Sequence, residues 1–515
     1  MSQDRHGRQD GTGGAGGRDG RTAGGRGGRD AAGRQRGRAR TSGRPAARTE
    51  LAPAQRRRTG DPARTAAFDV LREVAESDAY ANLVLPPLLR QRGIGGRDAA
   101  FATELAYGTL RLRGRYDAVL ALVVDRPLEA IDPPVLDLLR LGAHQHLGMR
   151  VPAHAAVSET VALARATVGA GAAQLVNAVL RRVTAEPWAA WETRVTEAAP
   201  PDMAARLAAV HSHPAWVVRA LHQALVADGR DPAEMVDLLG ADNAAPAVTL
   251  VARPGLSTRA ELAAAVPGAV EGRWTPTALV VPGGDPGAVT AVRDGRAGVQ
   301  DEGSQLVALA LAAVDVGRDT RWLDLAAGPG GKAALLGALA AGRGARVVAN
   351  EVAPHRAALV EGSVRALPTG TVEVRCGDGR DVPEAWLGAF DRVLLDAPCT
   401  GLGALRRRPE SRWRRRPEDL PQLTRLQGEL LDAAVRAARP GGVVAYVTCS
   451  PHVAETRAVV GDLLRRRSDV VQLDAREAVR AVAGEDIEVG AGPAIQLWPH
   501  VHGTDAMHLA LLRRT

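Results

Sequence analysis

Cysteine is scarce in this sequence of 515 residues, which contains three. So few thiols exclude a disulfide framework, and their spacing lacks the paired ligands of a zinc site, so we expect a reducing cytoplasm and no bound metal. No apolar run approaches the roughly 20 residues that cross a bilayer, and the first residues contain no apolar signal core, which predicts a soluble, unsecreted protein. Aromatic residues make up 3% of the chain, so aliphatic side chains must build the core.

Lysine is scarcer still, because Lys332 is the single lysine among 66 basic residues. Lysine carries a compact ammonium group, whereas arginine carries a planar guanidinium. In a chain that uses arginine at every other basic position, one lysine inside a glycine-rich loop predicts a site that a guanidinium does not fit.

Positive charge is concentrated in residues 1–60, which hold 15 Arg against four Asp and one Glu, a net charge of +10. Since the whole chain carries +8, the remaining residues sum to −2. Sequence rich in Arg and Gly without apolar spacing predicts a disordered tail. Two interpretations of this tail stay open: a solvated extension, or an arm that raises the affinity for polyanions such as RNA.

Residues 61–185 are predicted to form an all-helical domain. Apolar residues recur at helical spacing, Pro133 and Pro134 open a helix that runs to Leu147, and no strand-like alternation interrupts the pattern. The region resembles the NusB family of helical RNA-binding domains. That resemblance lies in residues 64–71, 98–108, 138–142, 156–161 and 176–182. It implies a module that docks RNA or protein without catalysis of its own, and a generic helical bundle is the alternative.

Residues 186–310 carry weaker signals. Helices are predicted around residues 204–210, 216–225 and 258–265, and short strands at 247–252, 278–281 and 297–300, separated by Gly and Pro turns. We therefore expect a helical linker followed by a small α+β module, whose task the sequence does not reveal.

Residues 311–515 change to a repeating pattern of strand, turn and helix. Strands are predicted at residues 322–327, 345–351, 372–376, 390–395 and 443–449, and helices at 332–341, 354–367 and 421–438. This alternation predicts a parallel sheet with helices on both faces, a Rossmann-like α/β domain. Ligands of such domains bind beyond the carboxyl ends of the strands, so the residues that follow each strand are candidates for a site.

The turn after the first of these strands is rich in glycine and ends at Lys332. Its glycines allow a ligand to approach the backbone closely, and the amides that begin the next helix favour a carboxylate or phosphate. Glu351 ends the second strand and suits a ribose diol, while Asp378 follows the third and suits an adenine amino group. A dinucleotide is the rival ligand, but together these residues favour S-adenosyl-L-methionine. The predicted cofactor-binding residues are Ala326, Ala327, Gly328, Pro329, Gly330, Gly331, Lys332, Glu351, Asp378 and Asp396.

Two of the three cysteines follow strands at this same edge. Cys399 closes the segment Asp396-Ala-Pro-Cys399 after the fourth strand, and Cys449 follows the fifth. Free cysteines within apolar strands are usually inert core residues, and Cys376 is expected to be one. Thiols placed immediately past strand ends indicate an active site instead.

The two cysteine motifs, in this order and after that glycine-rich loop, resemble the RNA cytosine-C5 methyltransferases. The resemblance runs from residue 299 to near the C-terminus, and with the NusB-like region it narrows to the RsmB (Sun, Fmu) family, which methylates small-subunit ribosomal RNA. It implies that Cys449 attacks cytosine C6, that Asp396 binds the base and that Cys399 assists product release. It also implies that Lys332 lies beside the cofactor and the base.

An arginine run lies between the two cysteine motifs. The predicted contacts to the RNA backbone are Arg406, Arg407 and Arg408, with further arginines at 412 and 414–416. A solvated charged loop is the alternative interpretation.

The chain departs from the family pattern near its end. Residues 506–508 read Ala-Met-His where members of the family commonly have Gly-Phe-Phe, so a final strand here packs without two aromatic side chains. Ala326 and Gly328 are smaller departures. Two other functions compete with ribosomal RNA methylation: methylation of transfer RNA, and a non-catalytic ribosome-assembly or antitermination factor that keeps the fold as a scaffold. We expect a monomer that binds ribosomal RNA.

Overall fold

The structure, a computed structural model, describes residues 60–77 and 79–515. The tail predicted at residues 1–60 therefore lies outside the described residues, except for Gly60. The first described region is helical, as predicted. Its helices are α1 (Pro62–Glu76), α2 (Ala81–Gln91), α3 (Gly96–Arg111), α4 (Arg113–Ala121), α5 (Pro133–Leu147), α6 (Ala153–Thr167) and α7 (Ala170–Val183).

Aliphatic side chains fill the interior of this helical region. Leu105 on α3, Leu120 on α4 and Leu138 on α5 are fully buried. Each such side chain contributes roughly 1.5–3 kcal/mol when it leaves water, so the apolar helix faces hold the bundle together. Asp61 begins α1 because its carboxylate accepts a hydrogen bond from the Ala63 amide at 2.9 Å.

Four more helices link this region to the rest of the chain: α8 (Trp188–Ala198), α9 (Met203–His211), α10 (Ala215–Ala227) and α11 (Met235–Asp242). Helices α9 and α10 match the prediction, whereas α8 and α11 are additional. Trp191 anchors α8, because its buried indole donates a hydrogen bond to the Val183 carbonyl at 3.0 Å.

A small antiparallel sheet follows, in the strand order β2-β3-β1-β4. Its elements are β1 (Val248–Ala252), α12 (Arg259–Ala265), β2 (Val270–Glu271), β3 (Ala278–Val281), α13 (Thr290–Arg293) and β4 (Ala297–Val299). The three predicted strands and the predicted helix are present. Thr258 and Glu261 exchange hydrogen bonds across the first turn of α12, which fixes where this helix begins.

Helix α14 (Glu302–Ala313) leads into the large sheet. Leu306 and Leu311 are buried, and the Leu311 carbonyl accepts a hydrogen bond from the Arg392 side chain at 2.6 Å. The domain boundary predicted at residue 310 therefore falls inside a helix that packs on the sheet.

The large sheet and its helices occupy the remaining residues. The elements are β5 (Arg321–Asp324), α15 (Gly331–Ala341), β6 (Arg346–Glu351), α16 (Pro354–Val364), β7 (Val372–Cys376), β8 (Phe390–Asp396), α17 (Ser411–Arg414), α18 (Leu420–Ala437), β9 (Ala438–Thr448), α19 (Arg457–Arg466), β10 (Val470–Leu473), α20 (Ala475–Val482), β11 (Ile495–Gln496), α21 (Pro499–His502) and β12 (His508–Arg514).

The sheet is mixed, with the strand order β10-β12-β9-β8-β5-β6-β7. The five predicted strands are parallel neighbours. The predicted parallel sheet is confirmed, and two strands extend it in the opposite direction: β12 runs antiparallel to β9, and β10 runs antiparallel to β12. β12 fills the space beside β9: Met507 is buried and His508 pairs in register with Thr448.

The carboxyl ends of the parallel strands meet along one edge of the sheet. Asp324 ends β5, Glu351 ends β6, Cys376 ends β7, Asp396 ends β8 and Thr448 ends β9. The predicted site residues therefore share the edge where ligands of such sheets bind.

Candidate active site

Lys332 and Asp396 form an ion pair at this edge. Lys332 is the second residue of α15 and Asp396 is the last residue of β8, and their Nζ and Oδ2 atoms lie 2.8 Å apart. The two side chains keep 12% and 29% of their exposure. Burial alone would lower the pKa of Lys332, but the ion pair with Asp396 outweighs it and leaves that pKa raised. Lys332 is therefore a permanent cation beside a carboxylate.

A second carboxyl group, Asp324, lies close to this pair. It pairs in register with Leu394, two residues before Asp396, and it is fully buried. Neither of its oxygens accepts a hydrogen bond within the part of the chain that the structure describes. Burial, helped by the charge of Asp396, raises the pKa of Asp324 to about 8, although Lys332 opposes the rise. Asp324 is therefore protonated at neutral pH.

The two thiols that follow β8 and β9 face each other. The Sγ atoms of Cys399 and Cys449 lie 3.4 Å apart, a hydrogen-bond distance for two free cysteines, and both residues are half-buried. They meet because β8 and β9 are parallel neighbours, with Asp396 beside Val447. The structure thus brings together the two cysteines singled out from the sequence.

The surroundings of the two thiols differ in charge. The hydrogen bond with Cys399 lowers the pKa of Cys449. Burial and the charge of Asp396 oppose this effect, whereas the cations Lys332 and Arg408 add to it, and the pKa of Cys449 is lowered on balance. The same hydrogen bond and burial raise the pKa of Cys399, and the charge of Glu455 adds to the rise. A single negative charge on the pair therefore resides on Cys449, the sulfur beside the cations, and the thiolate is the nucleophilic form.

The glycine-rich loop between β5 and α15 packs against Glu351. This buried carboxylate accepts a hydrogen bond from the Gly328 amide at 3.0 Å, and a Cβ on Gly328 would approach Glu351 Oε2 to 2.3 Å. Gly330 has a φ of +108°, and a Cβ there would lie 2.7 Å from the Cβ of Ser363. Glycine at both positions therefore lets the loop lie close to the sheet edge, next to the first amides of α15, which have no acceptor within the helix.

Asp378, the third predicted cofactor ligand, is already held by its neighbour. It accepts hydrogen bonds from the Arg380 amide at 2.9 Å and from Arg380 Nη2 at 2.6 Å, and these contacts lower its pKa. An adenine amino group would share this carboxylate with Arg380.

Cys376 differs from its expected place in the core. Its residue is exposed, and its thiol contacts the Val352 carbonyl at 3.7 Å. The reason is the position of β7 at the edge of the large sheet, where no further strand of the described residues pairs with it.

The arginine run also differs from its prediction. Arg406 is buried and its Nη2 lies 3.1 Å from Asp505 Oδ1, while Arg407 Nη2 lies 2.6 Å from Asp301 Oδ1. These two arginines neutralise buried carboxylates, so the expectation that both grip RNA does not agree with their contacts. Arg408 is exposed.

Two further residues of this segment join the catalytic part to the helices. Arg412 is fully buried and donates hydrogen bonds to the Ser212 carbonyl at 2.9 Å and to Asn243 Oδ1 at 2.8 Å. Arg408 lies over the ring of Tyr80, 5.1 Å from its centroid. These contacts were not predicted, because an arginine in a charged run gives no sequence signal for its partners.

The residues at the edge fit S-adenosyl-L-methionine. Glu351 ends β6 and Asp378 follows the neighbouring β7, the first amides of α15 suit a carboxylate, and the Asp396 carboxylate at the same edge suits a cationic sulfonium. Within residues 60–77 and 79–515, no cluster of His, Cys, Asp and Glu has the arrangement of a metal site, and no helix is long and apolar enough to cross a membrane.

Two family profiles match the chain. The NusB family profile covers residues 61–185, and the profile described as 16S rRNA methyltransferase RsmB/F covers residues 309–513. A Mycobacterium tuberculosis (strain H37Rv) protein named as a methyltransferase is 54% identical over 459 residues, which are 89% of this chain and 98% of the relative. The ribosomal RNA small subunit methyltransferase B of Erwinia tasmaniensis is 32% identical over 464 residues, which are 87% of this chain and 98% of the relative.

A solved structure shows the same fold. The crystal structure of PH0851 superposes with a TM-score of 0.73 at 20% identity, over 88% of this chain and 99% of that chain.

Fold and site together define the class of protein: a methyltransferase whose α/β domain carries paired strand-end thiols and follows a NusB-like helical region. The chain matches methyltransferase relatives over nearly their full length, which narrows this class to one family. The chain belongs to the RsmB/F family of methyltransferases.

Proposed function

We propose that this protein methylates C5 of a cytosine in small-subunit ribosomal RNA, with S-adenosyl-L-methionine as the methyl donor and Cys449 as a covalent nucleophile. The observation that carries the proposal is the pair of thiols 3.4 Å apart beside the ion pair of Lys332 and Asp396. A methyltransferase that acts on oxygen or an exocyclic nitrogen needs no thiol at this position, whereas C5 of cytosine is a poor nucleophile until C6 is attacked.

Cys449 begins the proposed reaction. Its thiolate adds to C6, the C5–C6 double bond breaks, and the electron pair becomes available at C5. S-adenosyl-L-methionine, when bound, supplies an electrophilic methyl group for that carbon. Water then takes the C5 proton, the electrons of the C5–H bond re-form the C5–C6 double bond, and the C6–sulfur bond breaks with its electron pair on Cys449, which frees the enzyme.

Asp396 and Lys332 are proposed to hold the base during these steps. The Asp396 carboxylate accepts a hydrogen bond from the cytosine amino group, and the Lys332 cation beside it offsets the negative charge that develops on the ring as the thiolate adds. Lys332 fixes the Asp396 carboxylate through the 2.8 Å contact and favours the Cys449 thiolate.

Cys399 is proposed to assist release of the product. Its sulfur lies within hydrogen-bond distance of Cys449, and its raised pKa keeps it protonated while Cys449 is charged. A protonated thiol next to the departing sulfur stabilises that sulfur as it regains negative charge. The elimination step is therefore the step that loss of Cys399 should slow.

The ribosomal substrate is proposed from the relatives. The family profile and the Erwinia tasmaniensis relative are both named for small-subunit ribosomal RNA. The NusB-like helices would add an RNA-docking surface, and Arg408, an exposed arginine, contacts Tyr80 beside those helices. A target base inside folded RNA must leave its stack to reach Cys449.

The proposal is tested with purified protein, labelled S-adenosyl-L-methionine and ribosomal RNA from cells that lack this protein. We expect label in 5-methylcytosine at one site of the small-subunit RNA and none in transfer RNA. Label in transfer RNA alone would show that transfer RNA is the substrate instead. Absence of 5-methylcytosine from every RNA would refute the proposed reaction. Cofactor binding by calorimetry separates an enzyme from a scaffold, because a scaffold has no need to bind the donor.

A further inference from the structure

A buried carboxylate, Glu455, lies between the loops that carry the two thiols. It follows Cys449 by six residues and has no exposure to solvent. No Arg, Lys or His side chain forms an ion pair with it within residues 60–77 and 79–515. An unpaired buried charge is costly unless hydrogen-bond donors surround it, so the donors that Glu455 collects are informative.

Its first contacts are with the loop of Cys399. Glu455 Oε1 accepts a hydrogen bond from the Thr400 amide at 2.8 Å, and Oε2 accepts one from the Thr400 hydroxyl. Gln427 on α18 donates its side-chain amide both to Glu455 Oε1 at 3.1 Å and to the Pro398 carbonyl at 2.8 Å. The residues on both sides of Cys399 are therefore tied to one carboxylate.

Its other contacts are with the loop of Cys449. The Ser450 hydroxyl donates a hydrogen bond to Glu455 Oε2 at 2.7 Å, and the Ser450 and Thr400 hydroxyls lie 3.0 Å apart. The buried Tyr446 hydroxyl, three residues before Cys449, donates to the Glu455 carbonyl at 2.6 Å. Glu455 therefore contacts residues on both sides of Cys449: Tyr446 through its backbone carbonyl and Ser450 through its carboxylate.

We propose that Glu455 is a positioning residue that joins the two cysteine loops, sets the distance between their sulfur atoms and keeps the negative charge of the pair on Cys449. This inference rests on the proposed thiol chemistry. An ionised carboxylate suits the place because it only accepts hydrogen bonds, and four donors from three residues point at it. An amide in its place would turn N–H groups toward some of those donors.

Electrostatics support the second part of the proposal. The Glu455 charge raises the pKa of Cys399, after the larger effects of the Cys449 hydrogen bond and burial. Lys332 and Arg408 lower the pKa of Cys449, and the charge of Asp396 partly offsets them. Removing the Glu455 charge should therefore reduce the difference in pKa between the Cys399 and Cys449 thiols.

The test compares Glu455→Gln and Glu455→Asp with a matched control, Asp391→Asn. Asp391 is also fully buried and accepts the Arg321 amide at 2.8 Å, but it lies at the opposite end of β8 from Asp396. Each full-length variant is alkylated with iodoacetamide without RNA, across pH 6 to 10, and the rates at Cys399 and Cys449 are resolved by mass spectrometry. Methyl transfer is then measured as kcat and KM, corrected for the folded fraction.

We expect wild type and Asp391→Asn to alkylate Cys449 faster than Cys399, and Glu455→Gln to lower that ratio by about tenfold or more, with kcat reduced by a similar factor and KM for RNA little changed. Glu455→Asp should recover part of the ratio, because it restores the charge. An unchanged ratio in Glu455→Gln, or an equal loss of ratio and kcat in Asp391→Asn, would overturn the proposal. Because alkylation needs no substrate, a wild-type protein that methylates no RNA would refute the proposed function and still leave the role of Glu455 open to this measurement.

Discussion

Replacing the single lysine, Lys332→Met, is the perturbation with the broadest expected effect. It removes the cation 2.8 Å from Asp396 and the charge that opposes the raised pKa of Asp324. Breaking a buried ion pair by removing one partner costs roughly 3–5 kcal/mol. Asp396 keeps 29% of its exposure, so water recovers part of this cost, and we expect a loss of about 2 kcal/mol of stability.

The expected effect on catalysis is larger than the effect on stability. Without Lys332, the Asp396 carboxylate loses its fixed orientation toward the base, and Cys449 loses a cation that lowers its pKa. Removal of one positioned charged group from an active site typically lowers kcat by about 10²–10³-fold. Single-turnover methyl transfer measures this loss, and thermal unfolding of the same variant measures the change in stability.

Two companion variants make the result specific. Lys332→Arg keeps the charge but introduces a planar guanidinium, so we expect it to lose as much kcat as Lys332→Met. Arg343→Met removes a cation just after the other end of α15, where Arg343 Nη1 lies 2.9 Å from Asp319, and should keep nearly full activity. The reasoning is refuted if Lys332→Met retains kcat within about threefold of wild type, or if Arg343→Met loses as much.

Three further predictions follow from particular contacts. Folding raises the pKa of Asp324 from 3.8 to about 8, so the wild-type protein loses folding stability as pH rises through that window. Asp324→Asn removes this titration. Urea unfolding should therefore show the variant becoming more stable relative to wild type from pH 5 to pH 8. Arg408→Ala should weaken RNA binding and reduce by about one the number of counterions released, seen in the slope of log K for RNA binding against log salt concentration. Arg406→Ala should mainly lower the melting temperature, because Arg406 pairs with buried Asp505. Filter binding at several salt concentrations separates the two variants. Arg412→Met should leave buried carbonyl groups without donors and cost about 3 kcal/mol, seen as a lower melting temperature with unchanged alkylation of Cys449.

The parts of the fold that were predictable are those with local signals. The helical character of residues 61–185 follows from apolar spacing, and the five parallel strands follow from apolar runs that end in glycine or acidic turns. The same turns located Lys332, Asp396, Cys399 and Cys449, because strand ends of a parallel sheet converge in space.

The parts that were not predictable depend on residues far apart in the chain. Arg406 is buried because Asp505, about a hundred positions later, lies beside it, and nothing near Arg406 indicates that partner. The antiparallel pairing of β12 with β9 depends on residues far apart in the chain, such as His508 opposite Thr448, rather than on a local pattern. The proposed role of Glu455 depends on its hydrogen bonds with Thr400 and Gln427, which lie far from it in the sequence.

The central claim, that Cys449 attacks the base and Cys399 assists release, is tested most directly by trapping the covalent complex. Full-length Cys399→Ala and Cys449→Ala are each incubated with S-adenosyl-L-methionine and unmethylated small-subunit ribosomal RNA, then denatured and separated by gel electrophoresis. We predict that Cys399→Ala accumulates an RNA–protein adduct through Cys449 and that Cys449→Ala forms none. Equal adduct in both variants, or adduct in Cys449→Ala alone, would contradict this assignment.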